Sequence, residues 1–262
     1  MTYTVSDIKN EIEKHFPLKY AMDWDNPGLM AGRSDKKVKK IFIALDATTE
    51  IIEAAVLEAA DMVITHHPLI FKGVKSVSDE SPTGNKILKL IENGISLYSM
   101  HTNYDIASEG MGTAVAKRLD ANILSPLEIT GDEEGTAIGV GFIAELKDKI
   151  SVRELAAKIK ERFGISGIFF YDAGKNISKI AVCPGSGRGM LRHALINKCD
   201  VLITGDMGHH DGIDALDDGI SLIDAGHFGL EQVFVEEMSE FIASHFEGIE
   251  VIKNEKAYRQ VI

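Results

Sequence analysis

The stretch DMVITHH at residues 61–67 joins a short apolar run directly to two adjacent histidines. The second half of the chain contains a similar run, DVLIT at 200–204, and the string GISL occurs at 94–97 and again at 219–222. Both pairs occur in the same order, and similar elements flank them. This order favours an internal repeat. A chance match of short apolar strings is the alternative.

Hydrophobic periodicity around these strings predicts an α/β fold. Short apolar runs typical of buried strands alternate with helical patterns in both halves of the chain. The predicted strands are 41–45, 62–64 and 95–98 in the first half and 179–183, 201–203 and 221–223 in the second. The predicted helices are 50–60, 85–92, 111–119, 190–197, 209–216 and 230–245. This alternation implies two related α/β halves, an internal pseudo-repeat, in which helices cover mainly parallel sheets.

The pattern divides the chain into a first half at 1–124, a connecting segment at 125–176 and a second half at 177–262. The connecting segment has a glycine-spaced strand at 138–144 and a helix opened by the capping box SVRE at 151–154. It is therefore expected to contain a β hairpin and a helix, and it is a candidate for self-association. At the start of the chain, Ser6 is predicted to cap the first helix.

Composition limits the kinds of partner. The chain has 28 basic and 40 acidic residues, a formal charge of -12, which argues against nucleic-acid binding and would attract divalent cations. Its two cysteines form no CxxC pair, so reduced structural thiols are expected, as in a cytoplasmic protein. Neither a signal peptide nor a run of membrane-spanning length occurs, so no membrane partner is expected.

Histidines and a carboxylate follow two predicted strands of the first half. His66 and His67 come directly after the strand at 62–64, and the next strand runs into His101 and Asp105. Open α/β sheets bind ligands at the carboxyl ends of their strands, which favours metal ligation by His66, His67 and Asp105. His101 is interpreted as a proton-transfer or supporting residue. Asp46 ends the first strand of this half and is expected to hydrogen-bond a metal ligand. A solvated histidine pair and a turn-forming aspartate are the alternatives.

The corresponding strand of the second half runs into DAGHFGLE at 224–231. His227 and Glu231 are four residues apart, so they share one face if the segment is helical, a geometry that can bind metal. The alternative for Glu231 is a favourable charge in a first helical turn. Together, the five residues predict a site for two divalent ions in the cleft between the halves, with Glu231 as the bridging carboxylate. The mixed nitrogen and oxygen donors suit Zn, Mn, Fe, Co or Ni.

Two further segments lie at strand ends of the second half. The loop at 205–211 contains Asp206, His209 and His210, which are expected either to line the pocket or to cap a helix at the surface; His210 is a candidate proton carrier. The turn at 185–189 with Arg188 could hold a phosphate, although a plain tight turn is the favoured interpretation. Trp24 belongs either to an entry loop or to ordinary packing beneath a turn.

Taken together, the segments WDNPGL at 24–29, ITHHPL at 64–69, HTNYD at 101–105, TGD at 204–206 and DAGH at 224–227 with Glu231 resemble the NIF-three-like family. Its members are often described as GTP cyclohydrolase I type 2 homologues. The resemblance implies a dinuclear metal site on His66, His67, Asp105, His227 and Glu231, two α/β lobes and a ring-shaped homohexamer. Asp206 departs from the family, where glutamate is more frequent at this position.

The leading functional hypothesis is a metal-dependent hydrolase of the GTP cyclohydrolase type, acting on a nucleotide or another small heterocyclic substrate. Water would open the guanine imidazole ring with release of formate, and His101 or His210 would carry protons. Phosphoester hydrolysis is a second enzymatic hypothesis, since similar metal sites support it. A non-catalytic metal-binding or interaction protein is the alternative from a different class.

Overall fold

The computed structural model describes residues 2–256, which form two compact units. The first unit contains the chain up to Tyr104 together with Phe234–Lys256, and the second contains Asp105–Val233. The helices are α1 Val5–His15, α2 Thr49–Leu57, α3 Pro82–Glu92, α4 Thr102–Ile106, α5 Met111–Leu119, α6 Val152–Arg162, α7 Met190–Ile196, α8 His209–Asp217, α9 His227–Glu231 and α10 Val233–His245. The strands are β1 Tyr3–Thr4, β2 Gly28–Ala31, β3 Lys37–Val38, β4 Lys40–Ala44, β5 Met62–Thr65, β6 Ser96–Ser99, β7 Asn122–Glu133, β8 Thr136–Ser151, β9 Phe169–Tyr171, β10 Asn176–Ser186, β11 Val201–Gly205, β12 Ser221–Asp224 and β13 Glu250–Asn254.

In the described part of the first unit, five strands form one sheet in the order β13-β4-β5-β6-β2. The first four are parallel, and β2 runs antiparallel to β6 at the edge. The side chains of β5 are buried throughout, as expected for a strand covered on both faces. Helices α2 and α3 cover one face through an apolar core that includes Ile52, Leu90 and Val63. The α/β fold predicted from the apolar runs is confirmed here.

The sheet of the second unit is mixed. Its six strands, counted within residues 2–256, have the order β7-β8-β10-β11-β12-β9. The central strands β10, β11 and β12 are parallel, whereas β7, β8 and β9 pair antiparallel at the two sides. Helices α7 and α8 cover one face through a core that includes Cys183, Ala194 and Leu222. The long β7–β8 hairpin therefore continues this sheet.

Capping residues define the helix starts. Ser151 and Glu154 form the predicted capping box of α6, with the Glu154 carboxylate accepting the Ser151 main-chain N–H at 2.8 Å. The prediction for the first helix was wrong by two residues, since Thr4 and not Ser6 is the N-cap of α1. Thr4 and Asp7 satisfy each other's main-chain amides, a pairing that a cap at Ser6 cannot make.

Two aspartates make the same contacts in the two units. Asp61 lies just before β5 and accepts main-chain N–H groups at the start of β4, at 2.9 and 3.2 Å. Asp200 lies just before β11 and accepts the amides of Ser178 and Lys179, in the first half of β10, both at 2.8 Å. Each carboxylate thereby fixes the beginning of the preceding parallel strand.

No helix within the described range is both long and apolar enough to cross a lipid bilayer.

Candidate metal centre

The first group of candidate ligands, here called the histidine cluster, consists of His66, His67 and His101 in the first unit. One ring nitrogen of each lies within 4.8 Å of those of the other two. His66 and His67 directly follow β5, and His101 follows β6. Because β5 and β6 are parallel neighbours, their carboxyl ends lie at the same edge of the sheet. The fold thus brings His101 beside the adjacent pair His66 and His67, which follows a different strand.

Each ring of the histidine cluster is held through Nδ1 by an oxygen acceptor. The acceptors are the main-chain carbonyl of Met100 for His66, at 2.7 Å, and the carboxylates of Asp46 for His67 and Asp25 for His101, both at 2.8 Å. A carbonyl or an ionised carboxylate can only accept, so Nδ1 carries the proton and Nε2 has the lone pair. This is the arrangement in which histidines bind metal ions, with the remaining N–H fixed by an oxygen.

Asp25 is the strongest of these acceptors. Its side chain is fully shielded from solvent, and one carboxylate oxygen also accepts the main-chain N–H and the hydroxyl of Thr102, at 3.0 and 2.5 Å. Burial alone would raise the pKa of Asp25, but the hydrogen bonds from His101 and Thr102 outweigh it and lower this pKa to about 2. Asp25 is therefore a carboxylate at neutral pH, and it holds His101 in one orientation.

Two exposed aromatic side chains flank His101. The Trp24 ring centroid lies 5.9 Å from that of His101 and 5.8 Å from that of Phe71. Trp24 is 55% exposed and Phe71 is 45% exposed. Trp24 is thus not packed beneath a turn, and the two rings offer an accessible aromatic surface beside the histidine cluster.

The second group of candidate ligands, here called the carboxylate–histidine set, consists of Asp105, His227 and Glu231 in the second unit. His227 and Glu231 are the first and last residues of α9, and His227 Nε2 lies 3.1 Å from Glu231 Oε2. Glu231 is buried, with 3% of its surface exposed. The predicted helical spacing of four residues therefore places imidazole and carboxylate in direct contact.

Asp105 and Glu231 both act on the buried thiol of Cys183 in β10. Burial raises the pKa of Cys183 to about 12, and the negative charges of Asp105 and Glu231 contribute to this rise. A metal ion bound by these carboxylates would offset their charge. The thiol itself stays protonated, as expected for a reduced structural cysteine.

Asp206 positions His227 in the same way that Asp25 positions His101. Its carboxylate accepts the His227 Nδ1–H at 2.8 Å. Asp206 directly follows β11 and has a left-handed backbone conformation, with φ of 58°. Asp206 is thus a hydrogen-bond partner of His227. Its position at a strand end placed it near the site, but the sequence did not indicate which residue it contacts.

Glycines let the main chain approach this set closely. A Cβ atom on Gly185 would lie 2.2 Å from Glu231 Oε1, and Gly185 has a φ of +73°. A Cβ on Gly205 would lie 2.4 Å from the main-chain nitrogen of His227. The main chain at Gly185, where the turn at 185–189 begins, therefore packs directly against the Glu231 carboxylate. The side chain of Arg188 hydrogen-bonds the Asp206 carbonyl at 3.4 Å.

Two further predicted residues lie at the start of α8. His209 and His210 are exposed in the first turn of α8, and their rings are edge to face with centroids 5.4 Å apart. Among residues 2–256, no cluster of three potential ligands includes His210. Asp46 was expected to hydrogen-bond a metal ligand, and it contacts His67. Asp25 was not predicted as a partner, because it lies 76 residues from His101 in sequence.

The chain is an α/β protein with histidines and carboxylates at strand ends that could hold a metal ion. A family model described as Duf34/NIF3 (NGG1p interacting factor 3) matches residues 3–257, and the chain belongs to this family. The predicted family resemblance is thereby confirmed.

Similar proteins support this assignment over nearly the whole chain. A Clostridium acetobutylicum protein named GTP cyclohydrolase 1 type 2 homolog is 36% identical over 252 residues, which cover 95% of this chain and 94% of that protein. Among solved structures, a hypothetical protein of Staphylococcus aureus has a TM-score of 0.88 at 29% identity and covers 99% of both chains. Reduced HcgD from Methanocaldococcus jannaschii has a TM-score of 0.82 at 30% identity, covering 96% of this chain and 98% of that one.

Proposed function

We propose that this protein binds two divalent metal ions and uses them to hydrolyse a small heterocyclic substrate such as a nucleotide. One observation carries the proposal. Four histidines, His66, His67, His101 and His227, are each held at Nδ1 by an oxygen acceptor at 2.7 or 2.8 Å. Metal-binding histidines almost always donate the N–H of their other ring nitrogen to an oxygen acceptor. Solvent-exposed histidines do not require such a hydrogen bond.

The proposed ligands are His66, His67, Asp105, His227 and Glu231. Three imidazoles and two carboxylates suit Zn, Mn, Fe, Co or Ni, and the set includes no thiolate or thioether sulfur. Glu231 is proposed as the bridging ligand, since its carboxylate already contacts an imidazole that is itself held in place. When bound, such ions would polarise the substrate and make water a better nucleophile at neutral pH.

His101 is proposed to carry protons during the reaction. The ionised Asp25 accepts its Nδ1–H, so Nε2 is the atom that takes up or releases a proton. The negative charge of Asp25 stabilises the positive charge that the ring acquires on protonation. Exposure of 15% for the His101 side chain gives a substrate access to this nitrogen.

The aromatic surface of Trp24 and Phe71 supports a planar ring system as substrate. Both rings are about half exposed and lie within 6.2 Å of the His101 ring, measured between centroids. Base-aromatic stacking contributes roughly 1–3 kcal/mol and tolerates different bases. A purine stacked there would lie beside the proposed proton carrier. The name GTP cyclohydrolase 1 type 2 homolog, given to the Clostridium acetobutylicum relative, agrees with such a substrate.

An activity screen tests the proposal. The protein is stripped with a chelator, reloaded separately with Zn, Mn, Fe, Co or Ni, and incubated with GTP, a generic phosphoester and a small cyclic amide. We expect formate from GTP with the unaltered protein and with the control variant Glu240→Gln, which removes an exposed charge, but not with Glu231→Gln.

The other outcomes of the screen are equally informative. Turnover of the phosphoester alone would replace the ring-opening reaction with phosphoester hydrolysis. If Glu231→Gln abolished metal binding while no substrate turned over in the metal-loaded protein, the proposed hydrolase activity would be wrong and a binding protein would remain. If Glu231→Gln bound metal as tightly as the unaltered protein and the control Glu240→Gln, the assignment of Glu231 as a ligand would fail.

We also propose that the chain assembles into a homohexameric ring. Strand β7 lies at an edge of the second unit's sheet and exposes the apolar side chains of Leu124 and Ile129, which are 48% and 66% exposed. An exposed apolar edge strand is a common site of association. Light scattering coupled to gel filtration should give about 172 kDa, six times the 28.6 kDa chain. A mass of one chain would contradict this.

The two units are proposed to derive from one repeated βαβαβ element. The matching contacts of Asp61 and Asp200 at the start of the corresponding strands support this. If the repeat is genuine, alanine at either position should reduce the free energy of unfolding by a similar amount. If alanine reduced the free energy of unfolding at one position only, the similarity of the two segments would be better explained as a chance match.

A further inference from the structure

A separate cluster of potential metal ligands lies on the first and last helices of the first unit. Glu11 and His15 are four residues apart on one face of α1, and His245 is the last residue of α10. One donor atom of each lies within 4.8 Å of those of the other two. His15 Nε2 is 3.7 Å from Glu11 Oε1, and the two imidazole ring centroids are 5.2 Å apart. Nothing in the proposed hydrolase uses these residues.

The ring of His245 is held in a ligand-like orientation. Its Nδ1 lies 2.9 Å from the main-chain carbonyl of Phe241, which can only accept, so Nδ1 carries the proton and Nε2 has the lone pair. Ser244 donates its own hydroxyl proton to the same carbonyl at 2.9 Å. The Phe241 ring stacks on the imidazole at 4.2 Å between centroids, which further restricts its rotation.

Glu11 supplies the anionic donor. Lys14 binds Glu11 Oε2 at 2.6 Å, while Oε1 is the oxygen that faces His15. The hydrogen bond from Lys14 lowers the pKa of Glu11, so Glu11 is ionised at neutral pH. The side chains of Glu11 and His15 are 27% and 34% exposed, and His245 is exposed, so an ion can reach all three from solvent.

We propose that Glu11, His15 and His245 form a mononuclear site for a first-row divalent ion such as Zn²⁺, which would join α1 to the last turn of α10. Two imidazoles and a carboxylate leave a fourth tetrahedral position for water, a donor set that Zn²⁺ accepts. Tetrahedral coordination needs donor atoms about 3.3 Å apart, so only small side-chain rotations are required from the observed separation. By linking helices from opposite ends of the chain, the ion would stabilise the folded first unit.

Zinc titration of the full-length protein tests the site. Bound Zn²⁺ is measured by calorimetry and by equilibrium dialysis for the unaltered protein, His15→Ala, His245→Ala, Glu11→Gln and the double variant His15→Ala/His245→Ala. The control is His193→Ala, which removes a histidine from α7. We expect each single variant to bind one Zn²⁺ fewer per chain than the unaltered protein and the control.

The double variant distinguishes one shared site from two independent weak ones. It should lose the same single Zn²⁺ as either histidine variant, whereas an additive loss would overturn the proposal. The proposal would also be overturned if all three single variants bound as many Zn²⁺ ions per chain as the unaltered protein.

A second measurement needs no loss-of-function variant. In NMR spectra of the unaltered protein, the ring protons of His15 and His245 should shift together as Zn²⁺ is added. Unchanged ring protons at saturating Zn²⁺ would contradict the assignment. These measurements do not depend on hydrolysis. A His66→Ala protein should still bind Zn²⁺ at Glu11, His15 and His245. Failure of this zinc site can therefore be distinguished from failure of the proposed hydrolase function.

Discussion

Replacing Asp25 with asparagine should lower the free energy of unfolding by roughly 2 kcal/mol at pH 7. The magnitude follows from the pKa of Asp25, which falls from 3.8 to about 2 on folding, since each unit corresponds to about 1.36 kcal/mol. The carboxylate is shielded from solvent, so little of this interaction is screened. Hydrogen bonds to a charged group in other proteins contribute about 1.5–3 kcal/mol, which is consistent with this value.

An asparagine side chain cannot satisfy the same partners. One carboxylate oxygen of Asp25 accepts from His101 Nδ1, and the other accepts from the main-chain N–H and the hydroxyl of Thr102. An amide has one oxygen and one NH₂ group, so either the NH₂ group faces the donors of Thr102 or His101 must move its proton from Nδ1 to Nε2. The substitution therefore disturbs either the Thr102 contacts or the tautomer of His101.

The pH dependence has a definite sign. The folded-state pKa of Asp25 is depressed, so its contribution is fully present above the unfolded value of 3.8 and is lost as the pH falls through about 2. At pH 3, the contribution of the Asp25 carboxylate to the free energy of unfolding should already be about 1 kcal/mol smaller than at pH 7. The Asp25→Asn protein has no titrating group at this position, so the difference in stability between the two proteins should narrow by that amount between pH 7 and pH 3.

Urea unfolding of the metal-free proteins measures this difference. The chain has one tryptophan, Trp24, whose ring lies 5.9 Å from that of His101, so its fluorescence follows the relevant loop. Asp23→Asn is the matched control, because Asp23 is exposed in the same loop and its loss removes the same charge. If Asp25→Asn were as stable as the control, or if its deficit were equal at pH 7 and pH 3, the assignment of Asp25 as an ionised acceptor would be refuted.

Three further substitutions have defined consequences. Gly185→Ala should reduce stability by about 1–3 kcal/mol and weaken metal binding, because its Cβ would lie 2.2 Å from Glu231 Oε1 at a positive φ; a normal melting temperature and affinity would contradict this. Asp206→Ala should leave the melting temperature of the metal-free protein nearly unchanged but weaken metal binding about 10–100-fold in calorimetric titrations, because His227 loses its Nδ1 partner. Asp61→Ala should cost about 1.5–3 kcal/mol in urea unfolding, since two main-chain amides lose a charged acceptor, and an unchanged midpoint would show that water replaces it.

The strands and most helices could be predicted because their signals are local. The predicted helix at 111–119 coincides with α5, and the predicted strand at 62–64 lies within β5. Apolar runs identify buried strands without reference to the rest of the fold, since only a covered strand can bury every side chain. The edge strands were less accessible, because β2 and β9 are short, pair antiparallel and carry no strong periodicity.

The candidate site shows the same division. Its histidines and carboxylates follow recognisable strands, so His66, His67, Asp105, His227 and Glu231 could be selected from the chain. Asp46 could be expected near a ligand because it ends a neighbouring strand, but the histidine that it contacts, 21 residues away, could not be named. Asp25 could not be predicted at all, because it is 76 residues from His101. Hydrogen bonds across such separations depend on which loops the sheet brings together.

The amino-acid sequence was sufficient for the α/β class, the strand-end positions of the potential ligands and the family, because each depends on local composition or on an ordered set of motifs. Folding in three dimensions was needed to show that β13 returns to pair with β4 and that each ring of the histidine cluster has its Nδ1 fixed by oxygen. Histidine can present either ring nitrogen, and only the acceptor placed by folding selects between them. DMVITHH thus contains two histidines, and folding turns them into candidate ligands with Nε2 as the donor atom.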